Sequence, residues 1–471
     1  MASMASPASS PLWQQGQTLS LSIDDLSNSG DGVGRWQERV VFVPNGVPGD
    51  RLSVRLTRVK PAYGFAKLLT ILEPSPHRIR AACIVADKCG GCQWQSLAYG
   101  QQLQAKQNQV QAALERIGGL TELPIAPILA APQPLGYRNK ATYPLARGPE
   151  GSVKAGYYRR GTHQIVNLNQ CPIQDERLNP LLAAIKQAIQ AQGWSIYDEK
   201  QHRGKLRHLS LRIGYYTGQV LLTLVSNGDV PGLTSQAHQW LEQFPALVGV
   251  CLNHNPQKSN AIFGRDTVCV AGQGYLEERF LGLRLRLRST TFFQVNTRQA
   301  EALVETLLAE LALQGTETVI DAYCGVGTLS LPLARQAKRC VGIELQSESV
   351  AQARQNAALN GIDNAVFIAG PVEEQLRQQA KDQSVDAVVL DPPRKGCDPE
   401  VLQALIDIRP RRLAYMSCNP STLARDLKQL VQGGYRVQQV QPADFFPQTA
   451  HVECLVMLSL ASASTAGATA A

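Results

Sequence analysis

"VIDAYCGVGTLSLPLA", residues 319–334, is an apolar run that ends in an acid, a glycine-spaced turn and a second apolar stretch. It reads as a strand, a tight loop and a helix. Gly325 and Gly327 carry no Cβ, so the backbone there can approach a ligand closely, with a helix N-terminus following. A dinucleotide fingerprint asks for a third glycine three positions on, and Ser330 occupies that place. The loop gains meaning from Glu344, which closes the next apolar run, 23 residues after Asp321. An acid at that strand end can bind both hydroxyls of a ribose. A cofactor with adenosine but no pyrophosphate fits this pattern, which points to S-adenosylmethionine.

The same rhythm continues outward. From about residue 290, "ETVIDAY", "RCVGIE", "VDAVVLD", "RLAYMS" and "VECLVML" alternate with amphipathic helical stretches. Their apolar character suits strands covered on both faces. The pattern predicts an α/β fold: an open, mostly parallel, doubly wound sheet that binds ligands beyond the carboxyl ends of its strands. "VVLDPPRKG" (388–396) places Asp391 at one such end, stiffened by two prolines. In amine-methylating enzymes the related motif ends in an aromatic residue that stacks on the target base. Arg394 stands there instead, which disfavours that chemistry.

"YMSCNPSTLARD" (415–426) delivers Cys418 from a strand to the edge of the cleft. "STLARDLKQLVQGG" then continues as a helix with Leu423, Leu427, Leu430 and Val431 as its apolar stripe and Gly433–Gly434 as its stop. A thiol just ahead of a helix N-terminus is expected to have a lowered pKa. A thiolate in a methyl-transferring cleft suits carbon 5 of uracil, which is too weak a nucleophile by itself. Addition of sulfur to carbon 6 makes the ring an enolate, and a base must later remove the carbon 5 proton. "FFPQTAHVECLV" (445–456) supplies Glu453 for that step, with His451 in reserve.

Towards the N-terminus, "TLSLSI", "RVVFVP", "RLSVRLTRV" and "AKLLTIL" read as short strands, with "SGDGVGR" and "PNGVPGD" as turns. They predict a small five-stranded barrel that touches RNA. A helix is expected over roughly 96–117. Strand candidates "HLSLRI" and "VLLTLV" follow, with basic patches at 157–163 and 200–208. The start "MASMASPASS" lacks a cationic and an apolar region, so it is not a secretory signal. No run of about 18 apolar residues suggests a membrane span. A net charge of +8 suits a polyanionic partner, and eleven scattered cysteines suit a reducing cytoplasm. By spacing, Cys83, Cys89 and Cys92 (C-x5-C-x2-C) with the distant Cys171 form a four-cysteine site for zinc or iron–sulfur. The unequal gap and Pro172 after the fourth cysteine favour iron–sulfur.

"STTFFQVN" (289–296), "DAYCGVGTLSLPLA", "DPPRKG", "YMSCNPSTLARDL" and "HVE" together resemble the RNA uracil-5-methyltransferases. The resemblance is closest to the RumA/RlmD type that acts on 23S ribosomal RNA, and it runs in order through nearly the whole chain. It implies S-adenosylmethionine contacts at Gln294, Tyr323, Glu344 and Asp391, with Cys418 as nucleophile and Glu453 as base. It further implies a TRAM barrel and a 4Fe-4S cluster on Cys83, Cys89, Cys92 and Cys171. The domain plan is then a disordered 1–11, TRAM at 12–72, a cluster-bearing central α+β domain at 73–285, a Rossmann-like methyltransferase domain at 286–460 and a disordered tail at 461–471. The helix near 96–117 is placed against the catalytic domain. The expectation is a cytoplasmic, monomeric enzyme acting on 23S ribosomal RNA. The alternatives are a transfer-RNA uracil enzyme, a cytosine-5 enzyme using the same thiolate logic, or a non-catalytic cluster-bearing RNA-binding protein.

Overall fold

Strands β1 (Thr18–Leu26), β2 (Gly32–Trp36), β3 (Arg39–Val43), β4 (Arg51–Val59) and β5 (Tyr63–Glu73) close into a barrel in the order β1-β2-β3-β5-β4. The computed structural model describes residues 13–382 and 384–461. The expected disorder of 1–11 and of the last residues of the tail therefore lies outside the described residues. In β4, Leu52, Val54 and Leu56 are fully buried while the residues between them face outward, as the alternation requires. β2 lies inside the segment read as a turn. Its Gly34 crosses so close to β1 that a Cβ would stand 2.2 Å from the Ser22 carbonyl oxygen. Glycine here serves strand contact rather than chain reversal.

The chain forms two compact units. The first runs to Ala105 and takes back Gln448–Ala450; the second holds Lys106–Pro447 and the chain from His451 onward. Within the first unit, the Gln93 and Trp94 amides both donate to the Gln448 carbonyl at 3.0 Å. The Gln102 side chain donates to the Trp94 and Leu97 carbonyls and to the Gln448 side chain, and accepts from the Gln448 amide at 2.9 Å. Trp94, Leu97, Val47 and Ala450 form a small apolar cluster there.

Helix α1 (Tyr99–Arg116) matches the expected span. Its Val110, Ala113 and Leu114 enter the same apolar layer as Leu423 and Leu427, on one face of the C-terminal sheet. A central sheet is built from β6 (Lys140–Arg147), β7 (Val153–Tyr158), β8 (Ile165–Asn167), β9 (Leu206–Ile213), β10 (Val220–Ser226), β11 (Leu247–His254) and β12 (Asp266–Gly272), in the order β12-β11-β10-β9-β6-β7-β8. Helices α2 (Asn179–Ala191) and α3 (Leu233–Gln243) cover one side of it. A row of small polar side chains crosses this sheet: Thr142 opposes Ser210, Ser210 opposes Thr223, Thr223 opposes Cys251, and Cys251 opposes Cys269. The basic patch at 200–208 is partly structural, since buried Arg207 donates to the Asn255 and Gln257 carbonyls at 2.7 Å.

A hairpin of β13 (Tyr275–Phe280) and β14 (Leu283–Arg288) leads through the loop 289–296 to α4 (Thr297–Leu311). The C-terminal sheet then comprises β15 (Thr318–Ala322), β16 (Arg339–Glu344), β17 (Ala365–Ala369), β18 (Ala387–Leu390), β19 (Arg412–Ser417), β20 (Tyr435–Ala443) and β21 (Glu453–Leu460). Its order is β17-β16-β15-β18-β19-β21-β20, with β15 to β19 parallel and β21 antiparallel to both neighbours. The order reverses between β15 and β18, which is where such sheets open a binding crevice. β17 and β20 have no counterpart in the strands read from sequence. Among the described residues no helix is long and apolar enough to cross a membrane.

Candidate active site

The crevice between β15 and β18 is where the sequence motifs meet. After β15, Tyr323 adopts φ +70°, a conformation that costs a residue with a Cβ and is held by the surrounding fold. Gly325 and Gly327 continue the turn at φ +54° and +86°. The helix that follows, α5 (Ser330–Ala334), is only five residues long. The Ser330 hydroxyl, in the place of a third glycine, donates to the buried Asp321 carboxylate at 2.5 Å. Burial, Asp391 and Glu344 push Asp321 up to about 7. Glu344, at the end of β16, accepts from the Gly325 amide at 3.2 Å and from the Gln346 amide at 3.0 Å. The expected ribose acid and the glycine loop are thus joined.

Beside this loop lies a small cavity of about 40 Å³, with Gln294, Tyr323, Gly325, Asp391 and Met416 in its walls. Phe292 stands at its edge with 70% of its surface exposed. The loop that brings Phe292 and Gln294 is tied down from β6 and its approach. Asn139 donates to the Gln294 carbonyl and to Thr297 Oγ1, both at 2.9 Å, and its amide donates to the Val295 carbonyl. Buried Arg212 donates to the Arg288 and Thr291 carbonyls.

Asp391 closes β18 and is shared by the cavity and a second group of side chains. Cys418 follows β19 by one residue and precedes α9 (Pro420–Gln432), whose N-cap Asn419 accepts from the Ser421 amide at 3.1 Å. Asn419 and Thr422 both donate to the Arg394 carbonyl, which fastens the DPPR turn to the start of α9. Glu453 opens β21, as expected, and is only 5% exposed. Cys418 and Glu453 both lie close enough to Asp391 and Arg394 to feel their charge. Burial, then Glu453 and Asp391, push the Cys418 thiol up to about 11, and Arg394 pulls it back down. Glu453 is held well above the usual carboxylate range by burial and by Asp391, again opposed by Arg394. Burial lifts Asp391 to about 7. The expected lowering of the thiol by the helix end is therefore reversed. Loss of solvent, and after it the carboxyls of Glu453 and Asp391, set the direction.

The cysteine expectation fares differently. Cys83, Cys89 and Cys92 are half-buried in a ten-residue loop of the first unit, with the Gly91 amide 3.4 Å from Cys89 Sγ. Cys171 is buried in the second unit. Among the described residues, no three His, Cys, Asp or Glu side chains are gathered as a metal centre would need. The thiolate donor set suits a cluster chemically, but such sites are seldom preformed without their metal. Sequence reasoning also gave no positive role to Arg394 and none to Phe292. The arginine next to a strand-end acid and the aromatic pair in "STTFFQVN" were the available signals.

A parallel crevice, a glycine loop joined to the acid at the next strand end, and a thiol near two carboxyls suit a methyltransferase. Comparison with known proteins agrees. Residues 98–461 match the family model described as tRNA (Uracil-5-)-methyltransferase, and residues 12–69 match the TRAM domain. The chain belongs to this uracil-5-methyltransferase family, whose activity is S-adenosylmethionine-dependent methylation of RNA uracil, and its barrel is a TRAM domain. A protein of Nostoc sp. called an uncharacterized RNA methyltransferase is 57% identical over 95% of this chain and 97% of its own length. One of the same description from Bacillus cereus is 40% identical over 95% of this chain and 98% of its own. Among solved structures, the Pyrococcus abyssi tRNA (uracil-54, C5)-methyltransferase in complex with S-adenosyl-L-homocysteine superposes with a TM-score of 0.75 at 28% identity. It covers 93% of this chain and 100% of its own.

Proposed function

We propose that the protein methylates carbon 5 of a uridine in 23S ribosomal RNA through a covalent bond between Cys418 and carbon 6 of the base. The observation that supports this reading is the convergence of Cys418, Glu453 and Arg394 on Asp391, the residue shared with the cavity wall. When bound, S-adenosylmethionine supplies an electrophilic methyl group; Gln294, Tyr323, Glu344 and Asp391 would hold it. Cys418 gives its proton up to solvent water and adds to carbon 6, with Arg394 stabilising the negative sulfur. Carbon 5 becomes nucleophilic and gains the methyl group. Glu453 then takes the proton from carbon 5, and the electron pair left behind expels the sulfur. Phe292, exposed at the cavity edge, offers a face on which a flipped-out base can stack.

On the barrel, Phe42, Tyr63 and Phe65 pack ring to ring, and Arg58 lies 4.4 Å from the centre of Phe65. Aromatic faces beside cations suit stacked RNA bases. Cys83, Cys89, Cys92 and Cys171 are proposed, from spacing and resemblance, as holders of a 4Fe-4S cluster. Iron analysis and the visible spectrum of anaerobically purified protein test that assignment; colourless, iron-free protein would oppose it.

A second reading, transfer RNA as substrate, is favoured by the likeness to the Pyrococcus abyssi enzyme, which spans the whole of that chain. Mapping 5-methyluridine by mass spectrometry in ribosomal and transfer RNA, from cells with and without the gene, separates the two. Loss of a methyl group from 23S RNA supports the first reading; loss from transfer RNA alone replaces it with the second.

A further inference from the structure

Cys251 and Cys269 have no part in the chemistry above, yet they form the end of the polar row that crosses the central sheet. They face each other on the antiparallel strands β11 and β12. The register skips Val270, and that irregularity brings Cys269 opposite Cys251. Directly opposed residues of antiparallel strands have Cα atoms about 4.5–5.5 Å apart, inside the range a disulfide spans. The Cys269 thiol is close enough to act on Cys251, and both are free. They differ in access. Cys251 is 1% exposed, whereas Cys269 is exposed on the edge strand, its thiol directed at the Ala271 and Gly272 carbonyls.

Cys251 also touches the methyltransferase machinery. The Ser289 hydroxyl accepts from Thr223 Oγ1 at 2.7 Å and is left to donate to Cys251 Sγ. Ser289 begins the loop 289–296 that carries Phe292 and Gln294, and its carbonyl accepts from Lys140 at 3.3 Å. An unbroken line of contacts thus runs from an exposed thiol to the loop beside the cavity.

We propose that Cys251 and Cys269 are a redox modification site: hydrogen peroxide closes them into a disulfide, which withdraws Cys251 from Ser289 and loosens the cofactor-side loop. The exposed Cys269 sulfur attacks the peroxide, becoming a sulfenic acid and releasing water. The Cys251 sulfur then displaces the second oxygen, also as water, so two thiols and one peroxide give one disulfide and two waters. The coupling to the loop, though not the disulfide itself, rests on reading Gln294 as a cofactor contact.

Full-length protein treated with hydrogen peroxide, alkylated and digested without reduction should yield a peptide pair joined through Cys251 and Cys269. The pair should vanish with dithiothreitol and be absent from Cys269→Ser, a change at an exposed edge position. Calorimetric titration with S-adenosylhomocysteine should show about tenfold weaker binding by oxidised protein, the weight of one hydrogen bond, with no oxidation effect in Cys269→Ser. Cys269 running on to sulfinic acid beside an unreacted Cys251 would overturn the site. A cross-link with unchanged affinity would overturn its coupling to the loop. Failure of the reduced protein to bind the probe at all would instead count against the cofactor reading.

Discussion

The Arg394 guanidinium stands 3.0 Å from Nδ1 of His451. An imidazole can meet a permanent cation in this way only when that nitrogen is unprotonated. Burial and the neighbouring charges of Arg394, Lys106 and Arg138 hold His451 below its ordinary pKa. The lone pair facing the site is therefore already engaged. This arrangement favours Glu453 over His451 as the proposed base and leaves Arg394 the one cation that opposes the raised pKa of both Cys418 and Glu453.

Removing the nucleophile tests the covalent route directly. Cys418→Ala should lower turnover by roughly 10⁴-fold or more while leaving affinity for S-adenosylhomocysteine within about twofold. Single-turnover methylation assays and calorimetry measure the two quantities. Substantial residual turnover would rule out sulfur addition.

Glu453→Gln should stop the reaction after methyl transfer, because the carbon 5 proton has nowhere to go. Protein bonded to RNA should then accumulate as a slow band on a denaturing gel, absent when Cys418 is also replaced. A variant that turns over freely without accumulating an adduct would assign the base elsewhere.

Arg394→Gln removes the group that draws the thiol downward. The pKa of Cys418 should rise above its present value of about 11, and alkylation of that residue by iodoacetamide at pH 8 should slow by roughly tenfold, one pH unit's worth of thiolate. Peptide mapping isolates Cys418 from the other cysteines. An unchanged rate would remove Arg394 from the activation of sulfur.

Asp391 offers a prediction in pH. Its folded pKa is raised from 3.8 to about 7, so well below pH 3.8 both states carry the proton and the group adds nothing to stability. Between pH 4 and 7 the folded state keeps a proton that the unfolded state has lost, so stability falls through that window and stays lower above it. An amide at this position carries no such penalty. Asp391→Asn should thus raise Tm at pH 8 by roughly 1–2 °C, allowing for solvent at this partly exposed carboxyl, and leave it unchanged at about pH 3. The same variant should bind cofactor more weakly, so a gain in Tm with lost affinity is the expected pair of results in calorimetry.

Asn139→Ala removes two side-chain hydrogen bonds to the loop that bears Gln294. Affinity for S-adenosylhomocysteine should fall by about tenfold. Equal affinity would show that the loop is placed without it.

Chain-local signals are legible in the sequence itself. The apolar run of "VIDAY", the helix after Cys418 and Glu453 at the opening of β21 were all read from pattern, because each follows from burial period and turn chemistry. β2 was missed because Gly32 and Gly34 look like turn residues, and only the proximity of the Ser22 carbonyl explains them. The direction of the Cys418 pKa was wrong for a related reason. Sequence shows α9 directly after the thiol, but the carboxyls that oppose it come from residues 391 and 453, neighbours only in three dimensions. Arg394 was weighed only for what it excluded, since its pairing with His451 spans 57 positions.

The three-residue return of Gln448–Ala450 constrains how this molecule can be cut. A gene fragment stopped at residue 105 would encode every barrel strand yet leave the Gln93 and Trp94 amides without their shared acceptor and the apolar cluster around Trp94 without Ala450. Dissecting the RNA-binding half would therefore call for grafting residues 448–450 back on through a linker, or for moving the termini by circular permutation.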